Sequence, residues 1–73
     1  MESLDLHGKK VAEAESIFFD YLDKARLGKR LIEVNFITGT GLIQTRYLAL
    51  AKEHQCNAYI PMHNRGCIVI EFE

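Results

Sequence analysis

Seventy-three residues describe one small domain, with few side chains to spare from its core. At 48% hydrophobic and 26% charged, the composition is that of an ordinary globular chain and excludes a disordered one. The net charge of −1 excludes a general nucleic-acid coat, so a phosphate partner has to be met by a local patch.

No apolar run approaches the roughly 18 residues of a membrane span, and no signal peptide precedes the fold. Cys56 and Cys67 lack C-x-x-C spacing and read as small buried hydrophobes, which fits a reducing cytoplasm. His54, Cys56, His63 and Cys67 could be grouped as zinc ligands. The strand expected between Cys56 and His63, about 20 Å long, would however hold the two pairs apart, so no metal site is assigned.

The chain opens on LDLHGKK, from Leu4 to Lys10. As an extended strand it turns Leu4 and Leu6 to one face and Ser3, Asp5 and His7 to the other. Asp5 and His7 then stand side by side on the open face, roughly 7 Å apart. Gly8 releases the chain into an amphipathic helix from Lys9 to about Leu27, with Val11, Ala14, Phe18, Leu22 and Ala25 recurring at three and four. Gly28 is the expected stop. LIEVNFITG (Leu31 to Gly39) alternates as a second strand with Ile32, Val34 and Phe36 inward, and TGTG (Thr38 to Gly41) breaks it. Ile43, Tyr47, Leu50, Ala51 and His54 mark a second helix, from Leu42 to about Gln55. NAYIPMH (Asn57 to His63) is a third strand, HNRG (His63 to Gly66) a turn, and CIVIEFE (Cys67 to Glu73) the last strand.

The order βαβαββ with one-sided helices predicts an α/β fold of the α+β two-layer kind, with both helices on one face of a mixed sheet. The first three strands should run parallel through right-handed crossovers, and the fourth returns as a hairpin. Pro61 assigns strand three to an edge, and the apolar start of strand four suits the interior, giving the order 1-2-4-3. The C-terminal ends of strands one to three then reach one edge, where parallel strands tend to hold ligands. Asp5, His7, the TGTG loop and Arg65 all lie there.

Each of these residues carries two readings. Lys9 and Lys10, in the first turn of a helix, either meet an anion beside free backbone amides or are merely solvated. TGTG either seats an anion on its amides or is a tight connection in which Thr38 or Thr40 caps the following helix. It is neither a P-loop nor a dinucleotide fingerprint. His7 either moves a proton, with Asp5 setting its tautomer, or has no task. Arg65 either reaches a phosphate or faces water. His54 reads as a helix-end residue and Tyr47 as core.

Together these stretches resemble the Smr (small MutS-related) domain family. Its two signatures, L-D-x-H-G and T-G-x-G, stand here as Leu4-Asp5-Leu6-His7-Gly8 and Thr38-Gly39-Thr40-Gly41. Phe36-Ile37 and the ending Asn64-Arg65-Gly66-Cys67-Ile68-Val69-Ile70 are also similar to the family, so the resemblance spans nearly all of residues 1–73. It implies a fold similar to the C-terminal domain of translation initiation factor three, nucleic-acid binding and, in many members, endonuclease activity on DNA or RNA. By the same resemblance Asp5 and His7 are tied to phosphodiester cleavage, with Asp5 orienting His7 or holding a divalent metal. Thr38, Gly39, Thr40 and Gly41 match the substrate loop, joined by Lys9, Lys10 and Arg65 at the phosphate. Many members carry Lys or Arg inside the loop and a histidine shortly after it, where this chain has Thr40 and Ile43. A non-catalytic nucleic-acid or ribosome-binding module and a protein-interaction domain are the alternatives to an endonuclease.

Overall fold

Alternation at two and recurrence at three and four sort the chain into four strands and two helices. The computed structural model describes all residues, Met1 to Glu73. The elements are β1 (Glu2–Asp5), α1 (Val11–Gly28), β2 (Ile32–Ile37), α2 (Leu42–Glu53), β3 (Asn57–Tyr59) and β4 (Cys67–Phe72). The sheet order is β1-β2-β4-β3, with β1 parallel to β2 and β4 antiparallel to both β2 and β3. β1, β2 and β3 therefore point the same way, and both helices cover one face.

The core lies between helices and sheet. Phe18 and Leu22 of α1 and Tyr47 and Leu50 of α2 meet Val34, Phe36, Ile68, Ile70 and Phe72 from the strands. Its centre is aromatic: Phe36 packs edge-on against Tyr47 at 4.9 Å between ring centroids, and Phe18 against Phe72 at 5.1 Å. Tyr47 is fully buried, yet its hydroxyl is satisfied by donating to the Ala14 carbonyl at 2.6 Å. That bond ties the two helices together. Burial pushes the Tyr47 phenol well above its ordinary value, whereas Tyr21 is pushed up to about 12 by its hydrogen bond to Glu2.

Four boundaries differ from the sequence expectation. α1 starts at Val11, so Lys9 and Lys10 precede the helix rather than form its first turn. Lys10 is extended (φ −75°, ψ 152°), and its N–H donates to the Glu13 carboxylate at 3.2 Å. β3 stops at Tyr59 and does not run on to His63. Pro61 has no N–H for the ladder, and the chain instead makes two successive turns, closed by Asn64 N–H to the Pro61 carbonyl and Cys67 N–H to the Asn64 carbonyl. Those two turns replace the single turn expected at His63–Gly66. β1 ends at Asp5, two residues short of His7.

The fourth difference is at the end of α1. Gly28 is still helical, and Lys29 takes the left-handed position (φ 50°) while Arg30 N–H reaches back to the Ala25 carbonyl. A β-carbon at Gly28 would meet only the Arg30 side chain, at 3.4–3.6 Å. Gly28→Ala is therefore expected to stabilise the fold by about 0.5–1 kcal/mol, because alanine loses less backbone entropy in a helix. Lys29→Gly should add a similar amount by relieving the positive φ. Urea denaturation of the two variants checks both values.

Candidate functional site

The site edge is made where β1, β2 and the β3–β4 connection stop. The β1–β2 ladder is extended by one bond, from Leu6 N–H to the Ile37 carbonyl at 2.8 Å. Gly8, at φ +85°, then turns the chain, with Lys9 N–H donating to the Leu6 carbonyl at 3.0 Å. Leu6 is fully buried beneath this turn, while Asp5, His7, Lys9 and Lys10 are exposed.

Asp5 Oδ1 accepts the backbone N–H of His7 at 2.8 Å, a bond that fixes the turn. The backbone two residues on is the nearest donor a short acidic side chain can reach, as in an Asx turn. His7 lies beyond the end of β1, and the edge of its ring comes near Gly39. A β-carbon built on Gly39 would stand 3.9 Å from His7 Cδ2.

The loop itself is pinned to the hairpin. Thr38 N–H and Gly39 N–H both donate to the Gly66 carbonyl, at 2.9 and 2.8 Å. Gly39 needs its positive φ of 74° to do so, and Gly66 lies so close that its β-carbon would meet Gly39 Cα at 3.7 Å. The Gly39 amide is therefore spent inside the protein and cannot seat an anion. The Thr38 hydroxyl, 6% exposed, donates to the Gly39 carbonyl at 2.7 Å, and neither threonine caps α2. The cap position is Gly41, which has no side chain to offer, so the first-turn amides of α2 find no capping group. Thr40, Gly41 and Leu42 are exposed, and their N–H groups have no acceptor within the chain.

One residue here escaped the sequence reading. Gln44, 8% exposed, donates from Nε2 to the Arg65 carbonyl at 2.7 Å and to the Cys67 carbonyl at 3.1 Å. It clamps the hairpin onto the first turn of α2 and so sets where the exposed Arg65 starts. The available signal was a polar residue at core spacing, three before Tyr47 and seven before Ala51. Gln44→Leu leaves two carbonyls without this donor and is expected to cost about 1–3 kcal/mol, read from a thermal or urea melt.

The edge therefore gathers Asp5, His7, Gly39, the open N-terminus of α2 and the backbone of Arg65, with Lys9 and Lys10 just past the His7 turn. Carboxylates concentrate at the other end of the sheet, where Glu2 begins β1, Glu33 is second in β2, and Glu71 and Glu73 flank the last residue of β4. No three His, Cys, Asp or Glu side chains come together as a metal set. Cys67 is buried and Cys56 half-buried, and both are free thiols.

The family model of the Smr domain matches residues 4–72, which takes in the His7 turn, the TGTG loop and the hairpin. The chain belongs to the Smr domain family. Smr domains are a nucleic-acid-binding, nuclease-like family. Neither a search among curated proteins nor one among solved structures returns a significant match. No helix of this Smr domain is long and apolar enough to cross a membrane. Its Ile43, where many members have histidine, is 7% exposed and belongs to the core.

Proposed function

We propose that this edge binds a phosphate of DNA or RNA and that His7 moves the proton on which phosphodiester cleavage depends. The observation that carries the reading is the uncapped N-terminus of α2, open on the edge where the His7 ring comes near Gly39. Unpaired amides with the positive end of a helix dipole favour an anion, and Lys9, Lys10 and Arg65 add the charge that Thr40 does not. The amides of Thr40, Gly41 and Leu42 hold the phosphate, in place of the Gly39 amide.

In the reaction, neutral His7 takes the proton of the attacking hydroxyl, from water or from the ribose 2′ position in RNA. The new P–O bond forms, the bond to the leaving oxygen breaks, and that oxygen takes a proton from solvent. Asp5 acts through the backbone, holding the His7 turn by its N–H bond. It is a positioning residue. A divalent metal, if bound, would be held by Asp5 together with the substrate phosphate and would help to neutralise the phosphate charge.

A binding module without cleavage is the second reading. It is favoured by the burial of Ile43, which leaves no second proton-transfer group after the loop. Labelled RNA and DNA of one sequence, incubated with and without EDTA, separate the two. A product band from either nucleic acid supports cleavage. Binding without product on both overturns the cleavage half and leaves the module. A protein-interaction domain would show neither.

A further inference from the structure

No helix covers the other face of the sheet, where Val69 and Cys67 are nonetheless buried among their neighbours, and its residues form ordered rows. Pairing aligns Ser3 with Asn35, Asn35 with Val69, and Val69 with Tyr59, so one row crosses all four strands. The next row, towards the site, is Asp5, Ile37 and Cys67. The row on the other side carries Glu33 and Glu71. Between the acidic row and the site lies a cleft of about 340 Å³, lined among others by Ser3, Asn35, Tyr59, Pro61, Asn64 and Val69.

Three features of this cleft point to one kind of occupant. Tyr59 on the edge strand leaves half of its surface open and lines the cleft with Pro61, so an aromatic ring is within reach of an occupant. The Asn35 side-chain oxygen is enclosed and has no hydrogen-bond partner, while its nitrogen makes only a long 3.4 Å contact to Ser3 Oγ. Enclosed acceptors are normally paired, so the Asn35 amide gains a hydrogen bond when its side chain turns outward to meet an N–H donor in the cleft. Asn64 lines the cleft and directly precedes Arg65, so the cleft opens beside the proposed phosphate seat.

From these features we infer that the open sheet face takes an unpaired nucleobase. The base stacks on Tyr59 and donates an N–H to Asn35 Oδ1, while its strand is held at the α2 N-terminus. The preferred substrate is then single-stranded, or has a base turned out of the stack, because a paired base cannot present its face to Tyr59. The Glu33–Glu71 row repels the backbone at the far side and keeps the strand along the site edge. The inference rests on the phosphate-binding reading above and adds the substrate class to it.

The test measures anisotropy of labelled thymidine dodecamers in three forms: intact, with every position abasic, and paired in a duplex. Tyr59→Ala is expected to weaken binding of the intact single strand about 10-fold, with Tyr59→Phe near the parent. Asn35→Ala should lower it by a smaller factor. The abasic strand should bind the parent about as weakly as the intact strand binds Tyr59→Ala, and should be indifferent to that substitution. Salt dependence should not change in either variant, since no phosphate contact is lost. Equal affinity of Tyr59→Ala and parent for the intact strand overturns the inference, as does an equal loss on the abasic strand. In both cases continued weakening by Lys9→Ala with Lys10→Ala leaves the phosphate reading standing. A parent protein that binds none of the three forms removes both.

Discussion

His7→Ala is expected to abolish cleavage, by about 100-fold or more, while the protein melts and binds nucleic acid as before. The size follows from general acid–base catalysis, where a positioned proton-transfer group contributes roughly 10²–10⁴ in rate. Stability should hold to within about 0.5 kcal/mol because His7 is exposed. The substitution also keeps the backbone N–H that Asp5 accepts. Binding should survive because the phosphate is held by other groups, the α2 amides and the cations at Lys9, Lys10 and Arg65. Asp5→Asn separates the two roles open to Asp5. Asparagine keeps an oxygen for the His7 N–H, so a positioning role predicts retained cleavage, whereas a role for the negative charge predicts its loss. A His7→Ala protein that still cuts removes His7 from the reaction.

Leu6→Ala, one residue away, should do the reverse. Leu6 is fully buried under the turn, so truncation opens a cavity costing about 2–4 kcal/mol. A chain of this length has a margin of only about 4–11 kcal/mol, at 0.05–0.15 per residue. The expected result is a melting temperature many degrees lower, with any surviving folded protein still able to cut. Calorimetry on Leu6→Ala beside His7→Ala reads both effects. Near-equal melting of Leu6→Ala and wild type would mean that the turn does not rest on the core as described.

The alternation of these neighbours is legible in the sequence alone. Leucine, aspartate, leucine and histidine in sequence mark inside and outside by their chemistry alone. The sheet order was legible as well from the Cys67–Ile70 run, apolar on both faces, whereas Pro61, read as an edge-strand residue, lies two residues beyond β3. What could not be read was how local hydrogen bonds are shared. Asp5 was within reach of both the His7 ring and the His7 N–H, and only folded geometry chooses the backbone. The Gly39 amide looked available until the hairpin brought the Gly66 carbonyl to it across the sheet. Gln44 was hidden for the same reason, since its two acceptors lie more than twenty residues away in sequence. Lys29 in the left-handed position beside an available glycine runs against the usual capping preference, and the Schellman bond from Arg30 to Ala25 accounts for it.

The central claim is that a few cations and the open end of α2 hold phosphate at this edge. Its most direct test is the affinity for a labelled oligonucleotide measured across a range of salt. The account predicts weak binding, with log K falling against log salt at a slope of about −2 to −4, and a slope shallower by up to about 2 in Lys9→Ala with Lys10→Ala. A slope near −8, or one that the double substitution leaves unchanged, would contradict it.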